Sequence, residues 1–273
     1  MKSILKNAAI LLGIVVFVSS CELDTTSPED LQQSSKEVKQ NVETEMSVVS
    51  VFENVNNYGF NNESLKSALL SDDKVEVTWD GNLKMTLDFT NVPDASGKII
   101  VTFSANPAYL QGITAKVVFD DYQKDGVGLS GEMNLEIKDK DSESVKFLVK
   151  SVGNLTVTKG DLDYLWACNQ TYLWFEGFPT LSDNTDDVFM INGTSTQTMD
   201  SVVNKMTMTD VIYASDCKFI KDGDMELITN SDSDSPQTIT CDFGINKDGE
   251  DKGECDSWIK IISNGITLKI NMD

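Results

Sequence analysis

From Lys74 to the C-terminus, apolar and polar residues alternate with a period of two. Val75-Glu-Val77-Thr-Trp79, Leu83-Lys-Met85-Thr-Leu87-Asp-Phe89 and Leu129-Ser-Gly-Glu-Met133-Asn-Leu135-Glu-Ile137 set the pattern. Such alternation turns one face of a strand inward and the other to water. Residues 98–103 and 115–119 are denser apolar runs, as in strands covered on both faces. Between the runs lie turn formers: Asp80-Gly81, Asp125-Gly126, Gly160-Asp161, Asp222-Gly223 and Asn264-Gly265. Asp-Gly and Asn-Gly between alternating runs are strong hairpin signals. The pattern predicts a dozen or more strands (roughly), mostly antiparallel, in sandwich-like layers.

Ahead of the strands the period lengthens to that of a helix. Leu31, Val38, Val42, Met46, Val49, Phe52 and Val55 recur at helical steps and form one apolar stripe. Ser27-Pro28-Glu29-Asp30 supplies a capping serine, a proline at the first position and acids in the first turn. Lys36, Glu37, Lys39, Gln40 and Glu43 occupy the opposite face, so an amphipathic helix is expected to lie on the β domain. Glu63 to Leu70 suggest a short second helix. The expected division is a signal segment at 1–20, an acidic tether at 21–27, a helical segment at 28–70 and a β-rich domain at 74–273. An echo between the strands near Val117 and those near Val211 suggests a sub-boundary near 152–161.

Composition removes several function classes. All 22 basic residues are lysine, and the chain has neither histidine nor arginine. It lacks the usual general base near neutral pH and the bidentate fork that grips phosphate. A formal charge of -22 repels nucleic acid. No Ser/His or Cys/His nucleophile arrangement exists without histidine, and no catalytic residue, metal ligand or cofactor-binding motif is assigned. A hydrolase working with carboxylates alone remains one alternative, since it needs only two. Loops rich in acids (Asp183, Asp186 and Asp187; Asp232 and Asp234; Asp248 to Asp256) carry oxygen ligands of the kind calcium takes, but none fits the spacing of a calcium-binding helix–loop–helix, and solvated charge accounts for them.

The first residues carry an address. Lys2 and Lys6 precede an apolar run from Ala8 to Val18, then Val18-Ser19-Ser20-Cys21. A charged start, an apolar core and a small-residue stop are the layout of a secretory signal. The run is too short for the roughly 20 residues of a membrane span. Its end resembles the lipobox of bacterial lipoproteins, which implies lipidation of Cys21 and a membrane partner reached through that lipid. Glu22 and Asp24 resemble the surface-export tethers of Bacteroidota lipoproteins, so the expected location is the outer membrane, on the cell surface. Four cysteines then remain, Cys168, Cys217, Cys241 and Cys255, and an oxidising compartment allows up to two disulfides in three connectivities.

Short runs in the β region are also familiar. Trp174-Phe-Glu-Gly-Phe-Pro, Asp186-Asp-Val-Phe-Met-Ile-Asn-Gly-Thr-Ser-Thr, Ser215-Asp-Cys-Lys-Phe, Cys241-Asp-Phe-Gly and Gly253-Glu-Cys-Asp together resemble a group of uncharacterised β-rich lipoproteins of the Bacteroidota. Lys218 stands where that pattern has arginine, and the loop from Ile245 to Glu254 is longer. The resemblance implies a Cys217–Cys255 disulfide and supplies no activity. A Cys168–Cys241 bond is the further expectation.

One candidate site comes from aromatic spacing. Tyr164, Trp166, Tyr172 and Trp174 fall at even positions of one extended segment, with Asp161 and Glu176 at its ends. Exposed, Trp166, Tyr172 and Trp174 would form a glycan-stacking platform; buried, they are core. The functional expectation is a non-catalytic binding or accessory module taking a glycan or protein partner. A fimbrial or other structural subunit is the alternative beside the carboxylate-dependent carbohydrate hydrolase.

Overall fold

The computed structural model describes residues 28–60, 75–180 and 183–273. Cys21, the signal segment, the tether and the expected second helix lie outside them. The chain opens with α1 (Pro28–Val55), which ends in a single π-helical turn at Asn56–Phe60. Fifteen strands follow among the described residues. The first eight are β1 (Glu76–Asp80), β2 (Lys84–Asp88), β3 (Ala95–Phe103), β4 (Thr114–Lys124), β5 (Val127–Ser130), β6 (Glu132–Lys140), β7 (Val145–Ser151) and β8 (Leu155–Lys159). The rest are β9 (Leu162–Glu176), β10 (Val188–Met199), β11 (Val202–Ala214), β12 (Asp222–Thr229), β13 (Gln237–Phe243), β14 (Trp258–Ser263) and β15 (Ile266–Asn271). The fold is mainly β and antiparallel with an N-terminal helix, as the sequence predicts.

All fifteen strands belong to one sheet, and its order follows the chain. β4 pairs with β5 through Gln123 and Lys124 and with β6 through Thr114 to Val118, so β5 and β6 are two halves of one bent strand. β7 and β8 are likewise halves of the next pass, both paired with β9. The sheet is therefore an up-and-down meander without crossovers. Gly131 makes the first bend at φ 115°, where an added Cβ would lie 3.2 Å from the Leu155 side chain. Residues 152–161, the suggested sub-boundary, hold a turn and β8 within this same sheet.

The inward face follows the alternation. Met85, Val101, Val117, Leu135, Phe147 and Trp166 are all fully buried, and their strand neighbours on either side point outward. Bulges interrupt the ladders, with the extra residue on β4, β6, β9 and β11, and bulges bend sheets and increase their twist. Helix contacts show how far the bending goes. Ser50 and Glu53 lie one turn apart on α1, yet Ser50 accepts from Lys124 of β4 and Glu53 from Tyr213 of β11. Those strands are five places apart in the sheet, about 24 Å if it were flat. The sheet curls around the helix.

This enclosure changes the reading of α1. Val38, Val48, Val51, Phe52 and Val55 are fully buried, but so, nearly, are Ser34, Asn41, Thr44 and Glu45. A half-exposed side persists along the helix at Lys39, Glu43, Met46 and Glu53, while the rest of its surface past the first turns is buried in the core. Phe52 meets Phe147, Tyr172 and Phe189 edge-on, at 4.7 to 5.2 Å between ring centroids. Several of its buried polar groups find partners on strands or on the preceding turn: Thr44 lies 2.7 Å from the Tyr164 hydroxyl and also donates to the Gln40 carbonyl.

Candidate binding site

The aromatic row of β9 is core. Trp166 and Tyr172 are fully buried and Trp174 is 1% exposed, which overturns the glycan platform. The even spacing is real, but it faces α1: Tyr172 packs on Phe52, and Trp174 packs edge-on against Tyr109 and Phe178. Asp161 and Glu176 are exposed at opposite ends of the strand. Among the described residues no three carboxylate or cysteine groups are placed to hold a metal ion. Asp183 caps Thr185, Asp232 pairs with Lys205, and Glu250 pairs with Lys252.

The cysteines divide. Cys217 and Cys255 form a disulfide, with Cα atoms 5.6 Å apart. Cys168 and Cys241 are free thiols, each buried, so the expected second bond is absent. Their strands explain this: Cys168 sits in the middle of β9 and Cys241 in β13, with three strands between in the sheet. Burial lifts the Cys168 thiol to about 12 and raises that of Cys241 further; both are therefore unreactive.

The disulfide leads to a cleft that the sequence did not reveal. Lys218, Phe219 and Ile220 follow Cys217, and Asp256, Ser257 and Trp258 follow Cys255. These two segments form one wall of a cleft of about 380 Å³, a volume usual for small-ligand sites. The β4–β5 turn, with Lys124 and Val127, and α1, through Met46, Ser50 and Glu53, also line it. Phe219, Phe243, Trp258 and Met272 make much of the lining apolar.

Glu53 is the cleft's distinctive polar group. Its carboxylate accepts from the Tyr213 hydroxyl at 2.8 Å and the Ser215 hydroxyl at 2.6 Å. Burial pushes its pKa up from the ordinary carboxylate range, while those hydrogen bonds and the charge of Lys124 hold it back. Lys124 donates instead to Ser50, at 2.7 Å. Tyr213 and Tyr122 rise above the usual tyrosine value because both are desolvated.

A second buried carboxylate lies two turns back along α1 and deeper. Glu45 is 2% exposed and accepts the Gln170 amide through both oxygens, at 2.8 and 2.9 Å. Desolvation lifts it to about 7, with Gln170 and Ser195 opposing. It is a core group rather than part of the cleft. Glu45 and Glu53 stand at four-residue steps on either side of buried Val49. That is the one sequence signal for either: carboxylates at core spacing within an apolar stripe. The partners of Glu53, 160 and 162 residues further along, leave no local trace. No family model, curated protein or solved structure matches this chain.

Proposed function

We propose that the protein is a lipid-anchored, non-catalytic binding module of the outer-membrane surface, and that the cleft beside α1 is its binding site. The observation that carries this is the cleft itself: an apolar pocket with a few convergent polar groups, lined by the curled sheet and α1. The anchor rests on the signal layout ending at Cys21. A small amphiphile suits such a lining, its apolar body against Phe219, Phe243 and Trp258 and its polar end toward Glu53. Titration with n-octanol, followed by Trp258 fluorescence and calorimetry, tests the site. Saturable binding that Phe219→Ala weakens supports the reading; no binding of octanol or of its charged analogues would refute it. Fatty-acid labelling of wild type against Cys21→Ala tests the anchor, and equal label in both would refute that half.

A structural subunit is the second reading, favoured by one observation. β1 and β15 each pair on one side only among the described residues, and such edges accept an added strand. Both edges carry charge, Glu76 and Asp80 in one and Lys269 in the other, a common protection against pairing. Concentration-dependent assembly on a sizing column would move this reading to first place.

A further inference from the structure

We infer that the cleft selects amphiphiles whose polar end is a cation, with the Glu53 carboxylate as the recognising group. This inference rests on the cleft being the binding site. Charge balance is the first support. Glu43, Glu53, Asp125 and Asp256 line the cleft against two lysines, Lys124 and Lys218. Glu43 is already paired with Lys159, and the surrounding molecule carries a strong net negative charge.

Coordination of Glu53 is the second support. An ionised carboxylate has about four acceptor positions. Tyr213 and Ser215 fill two. No lysine forms an ion pair with Glu53 among the described residues, and Lys124, the lysine whose charge reaches it, spends its ammonium on Ser50. When ionised, Glu53 is a desolvated carboxylate with acceptor capacity to spare in the lining of an apolar cleft. A ligand ammonium supplies both the missing donors and the missing charge, whereas a ligand carboxylate meets repulsion. Donors of this charged kind form the stronger class of hydrogen bond.

Three probes with one alkyl chain separate head group from body: n-octylammonium, n-octanol and n-octanoate. The expected order at neutral pH is octylammonium tightest, by about tenfold over octanol, with octanoate weakest. Glu53→Gln keeps acceptor and donor atoms beside Tyr213 and Ser215; it should remove the advantage of octylammonium, so that octylammonium and octanol bind the variant about equally. Wild type offers a second measurement that needs no variant. Acidification through the range where Glu53 takes up a proton should abolish the octylammonium preference, since the ligand stays charged. Octanol binding without an ammonium preference, a preference that survives Glu53→Gln, or octanoate binding above octylammonium would each overturn the inference while leaving the cleft as a site. Failure of all three probes to bind would overturn both.

Discussion

Glu45 sets the sign of the molecule's response to pH. Its folded pKa, about 7, lies above the ordinary 4.5 because burial disfavours the anion. The folded state therefore holds its proton more tightly than the unfolded chain. Stability tied to this group is complete below about pH 4.5, declines as pH rises and is gone above about 7. Asp187, 1% exposed and lifted to about 8 by burial and the nearby Asp186 and Glu53 charges, acts in the same direction. The Glu45 span corresponds to about 3 kcal/mol. Urea midpoints should fall from about pH 4.5 to about pH 8 in wild type, and Glu45→Gln should flatten much of that slope. A variant with the wild-type slope would mean Glu45 is charged throughout. Trp174 belongs to this scale too. Trp174→Ala should cost about 4 kcal/mol, as large buried aromatics do, and lower the melting temperature steeply. The alternation showed that Trp166, Tyr172 and Trp174 share a face; it could not show which way that face looks, because both sides of an isolated strand are equivalent until the helix is placed.

At the scale of elements, turns were the most legible part. Asp125-Gly126 and Asn264-Gly265 both have positive φ at their two residues and close the β4–β5 and β14–β15 hairpins, as Asp-Gly and Asn-Gly should. Asp222-Gly223 carries the same signature but lies inside β12, where Gly223 faces a bulge in β11. Bulges depend on the partner strand, so sequence alone could not tell that glycine from a turn glycine. α1 was legible in position but not in surroundings: a stripe of valines and Phe52 tells that one face is covered, while burial of much of the rest depends on strands up to 229 residues away bending around it. Gly97 gives a test of the bulges. At φ 74°, an added Cβ would fall 2.1 Å from the Asp121 carbonyl oxygen of the neighbouring strand. Gly97→Ala should therefore destabilise the protein by about 2 kcal/mol or more, through backbone strain and displacement of β4. A stability within error of wild type would show that the β3–β4 pair relaxes freely.

For the whole molecule, the meander means that each pass of the chain, the bent passes β5–β6 and β7–β8 included, pairs with the pass before and after it, while α1, made first, must wait for the last strands before its surface is covered. Ser34 illustrates this: its hydroxyl lies 3.3 Å from that of Ser263, in β14. The Cys217–Cys255 bond fastens the late strands, closing a loop with a separation of 38 residues. Chain-entropy reasoning gives such a bond about 4 kcal/mol. Replacing both cysteines by serine should lower stability by up to that amount, and should loosen the wall of the cleft before the helix unfolds, as hydrogen exchange at residues 218–220 and 256–259 would report. Peptide mapping should find that bond and two free thiols; a Cys168–Cys241 bond would contradict the structure.

The bond also imposes an order of events on synthesis. After Cys21, cysteines emerge as Cys168, Cys217, Cys241 and Cys255, and within that set the native partner of the second is the fourth. An oxidant acting on the growing chain meets Cys168 with Cys217 first, then Cys217 with Cys241, and either crosslink would hold strands that belong apart. Correct pairing thus requires β9 and β13 to hide their thiols before oxidation, or an isomerase to exchange the wrong bonds afterwards. Cys168→Ala combined with Cys241→Ala removes both competitors within the β domain. That variant should reach the native disulfide faster than wild type and in a single step, without help from an isomerase.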